Sequence, residues 1–532
     1  MPTPAQVVIY DTTLRDGSQS EGISFSVEDK LKIAGLLDEL GVAYIEGGWP
    51  GSNPKDAAFF RRAQDLNLRH ARLAAFGMTC RVGGQPEDDP NIRALLDAQT
   101  PVVTVVGKTS MLHVTEVLRT TPEENLRIIR QSLAFLKARG KEVIYDAEHF
   151  FDGFKLDRDY ALATLRAAVD GQAEVLVLCD TNGGTLPWEV EDITAAVAMA
   201  FPGVSLGIHT HNDGELGVAN TLAAVRQGAV HIQGTINGYG ERCGNANLCS
   251  IIPDLELKMG IRCLPEGALR RLSHISRSVA ETANMAPDTH QPYVGKSAFA
   301  HKGGIHVAAM RRTVESYQHI DPALVGNEMR FLISDLSGRG NVLHEAEKMG
   351  MDLSSDKAHA VLEEIKRLEH EGYVFEGAEA SVALMLRRSV EGYVPPFELL
   401  NFTTLVIQNG EYGSEVEATV KLRVKGEVFH TAAEGNGPVN ALDKALRKAL
   451  TPVYPEIANF HLADYKVRIL DGNRGTAATT RVLIDTQNSH RRWSTVGAGT
   501  NIINASWRAL VDSVEYGLLL EQEQQQREEV RV

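Results

Sequence analysis

Short apolar runs rich in Val and Ile alternate with amphipathic stretches from residue 7 to about residue 260. Runs of this kind predict β-strands, and the stretches between them have the periodicity of helices. The predicted strands are 7–10, 44–47, 73–76, 102–106, 143–145, 175–179, 205–211 and 231–236. Clear helical stretches between them are 27–40, 122–138, 160–169 and 215–227. This order predicts a series of parallel βαβ units.

Eight strand–helix units predict an α/β fold closed into a (β/α)8 TIM barrel, which typically occupies ~250 residues. An open, doubly wound sheet is the alternative that the same units could build. However, no glycine-rich dinucleotide fingerprint follows the first strand, which disfavours it. The barrel also predicts where chemistry should occur, because functional residues of such barrels lie at the carboxyl ends of the strands.

The pattern changes after residue 260. Residues 270–390 are mostly helical, with a Gly- and His-rich break at 297–306 that could reach over a site. Pro395-Pro396 then marks a linker. Beyond it, strands are predicted at 403–408, 415–424, 465–470 and 479–486, and helices at 440–449 and 504–520. We therefore expect three domains: a barrel at 1–270, a mostly helical linker region at 271–395 and an α+β module at 396–525.

Composition excludes several classes of function. The formal net charge of -15 argues against binding to nucleic acid or to an anionic membrane. No apolar run approaches the ~20 residues that span a bilayer, and the first twenty residues contain charges but no signal-peptide core. The five cysteines form no CxxC pair and no disulfide framework. A cytoplasmic location is therefore expected.

Polar side chains follow the predicted barrel strands at their carboxyl ends. They are Arg15 and Asp16 after strand one, Glu46 at strand two, Glu148 after strand five, Asp180, Thr181 and Asn182 at strand six, His209 and His211 at strand seven, and Asn237, Glu241 and Asn245 after strand eight. Any one of them alone would be an ordinary solvated loop residue. Six loops that place polar residues at the same mouth together indicate an active site.

His209 and His211 are separated by one residue at the end of a predicted strand. Alternation along a strand turns both imidazoles to the same face, and Asp16 would add a hard oxygen ligand. Two imidazoles and a carboxylate, with positions left open, suit a catalytic divalent ion better than a closed structural zinc site. An HxH pair alone is weak evidence, because histidines on a strand are often only polar-face residues.

Four segments carry a resemblance to a known family: DTTLRDG at 11–17, HTHND at 209–213, GERCGNANL at 240–248 and HKGGIH at 301–306. Together they resemble the acyltransferases of the α-isopropylmalate synthase, homocitrate synthase and citramalate synthase family. The resemblance covers nearly the whole chain. It includes a C-terminal module similar to the family's leucine or isoleucine regulatory domain, with GNGPVN at 435–440 and GAGTN at 497–501. The segment GGWPGSN at 47–53 is most similar to citramalate synthases.

The resemblance implies a Claisen condensation, in which acetyl-CoA as cosubstrate adds to the ketone of a 2-oxo acid and the thioester is then hydrolysed. Similarity to citramalate synthases implies pyruvate as the acceptor and a role in isoleucine biosynthesis. It further implies a homodimer, isoleucine as an effector, and a divalent ion that could be Mg, Mn, Zn or Co. The 271–395 region would contribute to the active site.

The resemblance also assigns roles to residues. The implied metal ligands are Asp16, His209, His211 and Asn245. Arg15 would stabilise the ketone oxygen as it becomes an alkoxide, Thr181 would bind the acceptor carboxylate, and Glu148 would lie near the acceptor. His306, with Glu241 behind it, resembles the general base, and Tyr317 resembles a tyrosine near the thioester.

Two positions depart from the family's pattern, and several functions stay open. Asp146 stands where citramalate synthases tend to have an aromatic residue and isopropylmalate synthases a small one, and Cys243 stands where Ala is frequent. A 2-isopropylmalate synthase or a homocitrate synthase would use the same chemistry on another 2-oxo acid. A hydroxymethylglutaryl-CoA-lyase-like lyase is disfavoured by the long second half of the chain. A non-catalytic amino-acid sensor would leave the polar mouth unexplained.

Overall fold

The computed structural model describes residues 3–310, 312–334, 337–408 and 414–529. The chain divides into two compact units. The first comprises Met1–Phe299 and Ile320–Met329, and the second comprises Ala300–His319 and Arg330–Val532. The boundary between the units thus lies within the predicted break at 297–306, and Ile320–Met329 returns to the first unit.

Eight parallel strands form a closed barrel in the first unit. They are β1 (Val8–Asp11), β2 (Tyr44–Gly48), β3 (Arg72–Met78), β4 (Val102–Lys108), β5 (Glu142–Glu148), β6 (Val175–Asp180), β7 (Ser205–Thr210) and β8 (His231–Gly234). β8 pairs with β1, with Val8 opposite His231. This closure confirms the predicted barrel and excludes the open, doubly wound sheet.

Helices cover the outside of the barrel. They are α1 (Val27–Leu40), α2 (Pro54–Ala63), α3 (Pro90–Asp97), α4 (Pro122–Lys137), α5 (Phe150–Leu156), α6 (Arg158–Asp170), α7 (Pro187–Ala200), α8 (Gly217–Arg226), α9 (Leu248–Pro253) and α10 (Leu272–Thr282). Several begin with strong local signals. Thr121 caps α4 by accepting a hydrogen bond from the backbone N–H of Glu124, and Pro122 occupies the first helical position.

The barrel has two apolar layers. The larger one lies between the strands and the helices, and a smaller one fills the barrel interior, with Tyr10, Ile144 and Val177 among its members. The interior also encloses His231, which is 1% exposed and whose ring lies 5.0 Å from that of Tyr10 and 5.6 Å from that of Tyr44. Burial lowers the pKa of His231 to about 3, so the imidazole is neutral in the folded barrel.

His231 should therefore make the fold sensitive to acid. The unfolded chain binds a proton on this imidazole below a pKa of 6.5, whereas the folded chain does not until about 3. The contribution of the neutral His231 ring to stability is complete above the unfolded pKa and decreases as the pH is lowered. Between about pH 7.5 and about pH 5.5 it decreases by ~1.4 kcal/mol. In His231→Phe, which keeps a ring, the loss of stability over this interval should be smaller by that amount. Urea unfolding at both pH values measures it, and an equal loss in both proteins would contradict the prediction.

Four helices occupy the first part of the second unit: α11 (Gly304–Met310), α12 (Arg339–Lys348), α13 (Ser355–His370) and α14 (Glu379–Arg388). A short parallel pair of strands, β9 (Ala300–His301) and β10 (Arg330–Phe331), accompanies them. These elements agree with the predicted helical segment.

The C-terminal part contains two antiparallel three-stranded sheets, each followed by a helix. The first has β11 (Phe397–Gln408), β12 (Ser414–Val424), β13 (Glu427–Gly435) and α15 (Pro438–Leu450); the second has β14 (His461–Ile469), β15 (Thr480–Gln487), β16 (Arg492–Gly499) and α16 (Ile502–Glu529). The predicted α+β class is confirmed. β13 and β16 were not predicted, because Glu, His, Ala, Ser and Gly dilute their β-branched residues.

The helices of the second unit share an apolar core with the second sheet. Val382 and Leu386 of α14 belong to the same buried cluster as Val496 and Ala498 of β16. The backbone N–H of Val496 also donates to the Ser381 hydroxyl at 3.1 Å. This packing crosses the linker at residues 395–396, and the domain limits near 270 and 395 stay predictions. No helix in the described ranges is both long and apolar enough to cross a membrane.

Candidate active site

A polar cavity of about 270 Å³ opens at the carboxyl ends of the barrel strands. Seven of the residues singled out from the sequence line it: Arg15, Asp16, Glu148, Thr181, His209, His211 and Glu241. A larger cavity of about 820 Å³ lies in the second unit, among side chains such as Phe375, Met385 and Trp507, and no residue singled out for catalysis lines it. The smaller, polar cavity is therefore the candidate active site.

The four candidate metal ligands gather at one side of this mouth. His209 lies on β7 and His211 directly follows it; their ring centroids are 5.3 Å apart. His209 Nε2 is 3.5 Å from Asp16 Oδ2. His211 also forms an isolated antiparallel bridge with Asn245, which brings the loop after β8 beside β7. The structure thus brings together residues that lie roughly two hundred positions apart in the sequence.

These ligand candidates carry polar atoms without partners. Asp16 Oδ2, His211 Nδ1 and both amide atoms of Asn245 are buried and accept or donate no hydrogen bond within the described residues. Buried polar groups are normally satisfied, so these donor atoms fit residues that hold a ligand. The donor set of one carboxylate, two imidazoles and one amide fits a divalent ion with oxygen and nitrogen ligands.

Protonation also suits a metal site. Burial, followed by the nearby His209, lowers the pKa of His211 to about 3, which leaves its ring neutral. Burial opposes the charge on Asp16, but Arg15 lowers the pKa of this carboxyl below its usual value. Among the described residues, no three His, Cys, Asp or Glu side chains already converge as a formed metal site.

Arg15 is held from three sides. Its guanidinium bonds the carboxylates of Asp16 and Glu46 and lies 3.9 Å from the centre of the Phe76 ring. Glu46 is fully buried and accepts a second hydrogen bond from the Tyr10 hydroxyl at 2.8 Å. Glu46 therefore braces Arg15 from below, and the charged fork of Arg15 is fixed at the cavity wall.

Three of the other residues that line the cavity make notable contacts, and the sequence had assigned no role to them. Lys108 at the end of β4 forms an ion pair with Glu148. Arg242 donates to the carbonyl oxygen of Thr181 at 2.7 Å and to Asp213 at 2.7 and 2.9 Å, which ties the loop after β8 to those after β6 and β7. Trp49 contacts the Phe76 ring edge-on, with centroids 5.5 Å apart. Each lies at or after the carboxyl end of a barrel strand, and this position is the sequence signal that could have identified it.

The predicted base and the predicted tyrosine lie in the second unit. His306 is on α11, beside Gly303 and Gly304, and its exposed ring stacks on that of Tyr317 with centroids 4.0 Å apart. His301 lies on β9. The predicted base and the predicted tyrosine are therefore neighbours, and their roles in the reaction stay predictions.

Comparison with known families identifies the class of protein. Residues 6–279 match the HMGL-like family model, residues 293–373 match the homocitrate synthase post-HMGL domain-like model, and residues 376–518 match the LeuA allosteric (dimerisation) domain. The chain belongs to the HMGL-like family of enzymes.

Individual relatives narrow the assignment. An (R)-citramalate synthase from Geobacter sulfurreducens is 53% identical, covering 96% of this chain and 97% of the relative. One from Aquifex aeolicus is 49% identical, covering 98% and 99%. A probable 2-isopropylmalate synthase from Methanopyrus kandleri is 31% identical, covering 96% and 98%. The identity to these (R)-citramalate synthases is thus higher than the identity to the 2-isopropylmalate synthase. The other functions of this family are therefore the weaker assignments.

Proposed function

We propose that this protein catalyses the condensation of acetyl-CoA with pyruvate, which yields (R)-citramalate and CoA. The observation that carries the proposal is the near full-length identity of 53% and 49% to two (R)-citramalate synthases. The cavity at the barrel mouth supports it, because polar residues such as Asp16 and His209 line it together with apolar residues such as Phe76 and Val106. A small, anionic 2-oxo acid with a methyl group has the matching chemistry.

The acceptor would be held by the polar residues that line the cavity. A divalent ion held by Asp16, His209, His211 and Asn245 would act as a Lewis acid and template for the 2-oxo acid. Arg15 would stabilise negative charge on the ketone oxygen as the new carbon–carbon bond forms. The Thr181 hydroxyl would bind the acceptor carboxylate, and Glu148, paired with Lys108, would lie beside the acceptor.

The donor needs a base. His306 would remove a proton from the methyl group of acetyl-CoA, with Glu241 supporting it, and the resulting enolate would attack the ketone carbon. Tyr317 would act near the thioester, and its stacking on His306 at 4.0 Å supports a shared function. Water would then attack the thioester carbonyl, and CoA would leave as the thiol.

Release of free CoA separates this function from its rivals. A synthase releases a thiol from acetyl-CoA only when pyruvate is present, whereas a lyase or a non-catalytic sensor releases none. We expect pyruvate-dependent thiol release by the full-length protein. The lack of any such release under conditions where the protein is folded would overturn the proposal.

The metal ligands predict loss of activity on chelation and its recovery on addition of a divalent ion. In His211→Ala we expect metal affinity to fall by more than about tenfold, because loss of even a supporting group near a metal costs at least this much. Titration calorimetry with Mn²⁺ measures the affinity, and turnover should fall in parallel. His274→Ala, on the exposed surface of α10, is the control. Full activity in a protein shown to be metal-free would refute this assignment.

We also propose that the protein is a cytoplasmic homodimer in isoleucine biosynthesis and that isoleucine inhibits it. Support comes from the match of residues 376–518 to the LeuA allosteric (dimerisation) domain. Glycine-containing loops precede α15 and α16, and a helix N-terminus suits a carboxylate. An effector must bind two states of the enzyme unequally if it is to inhibit.

The loop assignment predicts the effect of added negative charge. Gly437→Asp and Gly499→Asp should raise the isoleucine concentration for half-inhibition by more than about tenfold, a loss of ~1.4 kcal/mol in binding. At both positions no atom lies within 4 Å of the point that a Cβ would occupy, so the new side chain fits. Gly472→Asp, equally open and in a different loop, is the control. Unchanged inhibition in both variants would place the effector elsewhere, for which the 820 Å³ cavity is the first candidate.

A further inference from the structure

Three buried side chains form a hydrogen-bonded chain across the barrel interior. Gln233 Oε1 lies 2.8 Å from His209 Nδ1, and Gln233 Nε2 donates to Asp146 Oδ1 at 3.0 Å. Gln233 is fully buried, and Asp146 and His209 are 3% and 6% exposed. None of the roles proposed above uses Asp146 or Gln233.

The barrel, rather than local sequence, builds this chain. Asp146 lies on β5, Gln233 on β8 and His209 on β7. β7 and β8 are neighbours, with Ile208 opposite Ile232, so the next residue on each strand comes side by side. Asp146 is on a strand that is not adjacent to β8, and its contact with Gln233 therefore crosses the lumen.

The chemistry of the three groups fixes the direction of the hydrogen bonds. An amide has one accepting oxygen and one donating nitrogen, and a carboxylate only accepts. The nitrogen of Gln233 therefore faces Asp146 and its oxygen faces His209. When the His209 ring carries one proton, that proton must then lie on Nδ1, which leaves the lone pair of Nε2 free. Nε2 is the atom that lies 3.5 Å from Asp16 Oδ2.

In the structure, Asp146 Oδ1 accepts from the Gln233 nitrogen. Burial, and then the nearby Glu46, raise the pKa of Asp146 well above its usual value. A protonated carboxyl keeps this order when its proton lies on Oδ2, because Oδ1 still accepts.

We propose that Gln233 and Asp146 are positioning residues that hold His209 with Nδ1 protonated and Nε2 directed at the metal donors. Gln233 sets the tautomer of His209, and Asp146 prevents the Gln233 amide from turning over. Groups that hold a ligating imidazole in this way strengthen metal binding, and their loss costs roughly 10- to 100-fold in affinity. This inference rests on the proposed metal site.

Metal affinity of the full-length, chelator-treated protein is the first readout. Gln233→Leu removes both hydrogen bonds and should weaken Mn²⁺ binding by roughly 10- to 100-fold in calorimetry. Gln233→Glu keeps the acceptor for His209 but loses the donor to Asp146, and it should also bind weakly. The double variant Gln233→Glu with Asp146→Asn restores a donor at position 146 and should recover affinity to within about threefold of the wild type, ~0.6 kcal/mol.

The tautomer of His209 is the second readout and needs no metal. In protein labelled with ¹⁵N-histidine, the His209 resonance, assigned by its loss in His209→Asn, should show a proton on Nδ1. Gln233→Leu should abolish this preference and the double variant should restore it. Gln291→Leu removes another buried glutamine of the same unit and should change neither readout.

The outcomes separate the inference from the proposed function. A proton on Nε2 in the wild type, or equal affinity in Gln233→Leu and wild type, overturns the inference while the function stands. A double variant that folds but binds Mn²⁺ no better than Gln233→Glu also overturns the inference. Side-chain packing alone would then explain why these hydrogen bonds are present. A wild type that binds no divalent ion overturns the metal site and this inference together.

Discussion

Replacing Arg15 with lysine is expected to lower kcat about a hundredfold, which corresponds to a loss of ~3 kcal/mol of transition-state stabilisation. The planar guanidinium of Arg15 bonds Asp16 and Glu46 at once and stacks on Phe76. An ammonium group carries the same charge but lacks the fork, so it cannot make these bonds and also meet the developing alkoxide. Arg15 is thus held by its fork rather than by its charge alone.

Steady-state kinetics with pyruvate measures this effect. The loss should appear mainly in kcat, because the charge on the ketone oxygen develops only in the transition state. Arg72→Lys is the matched control: Arg72 begins β3, at the end of the strand away from the mouth, and pairs with Glu142. A loss of less than about threefold in kcat for Arg15→Lys, under ~0.7 kcal/mol, would mean that Arg15 has no direct role in catalysis.

Replacing His306 with alanine is expected to abolish the exchange of acetyl-CoA methyl protons with solvent. A general base contributes roughly 10²- to 10⁴-fold to a proton transfer, so exchange should slow by at least about a hundredfold. Pyruvate binding should be unchanged, because no role in acceptor binding is proposed for His306. Mass spectrometry of acetyl-CoA after incubation in deuterated water, with pyruvate or a non-reacting analogue present, measures the exchange.

A histidine outside the proposed machinery provides the comparison. His359 lies on the exposed surface of α13, and His359→Ala should exchange protons at the wild-type rate. If His306→Ala also exchanges at the wild-type rate, the base is another group, and Glu241 at the barrel mouth becomes the next candidate.

The barrel could be predicted because its signal is local. Each strand is a short β-branched run followed by a helix with a clear start, as at Thr121 and Pro122 before α4. β13 and β16 gave no such signal, because their burial depends on neighbouring strands rather than on their own composition. The packing of α14 on β16 could not be predicted from the sequence either, since it joins segments on either side of Pro395-Pro396.

The site divides in the same way. A parallel barrel gathers the ends of its strands at one mouth, so Asp16, His209 and His211 could be expected to meet. The chain from Asp146 through Gln233 to His209 could not, because it depends on which strands face each other across the lumen. In the sequence, Asp146 was only a departure from the family pattern. In the structure, it accepts a hydrogen bond from the side chain of Gln233.

Pyruvate is the acceptor that we propose for this protein. Release of CoA by the full-length protein with three different acceptors tests this most directly. Pyruvate, 2-oxoisovalerate and 2-oxoglutarate should be compared at matched concentrations with acetyl-CoA and a divalent ion. We expect kcat/KM for pyruvate to exceed that for each of the others by more than about tenfold, or ~1.4 kcal/mol. A higher kcat/KM for 2-oxoisovalerate or 2-oxoglutarate would contradict the account and assign the chain to another synthase of the family.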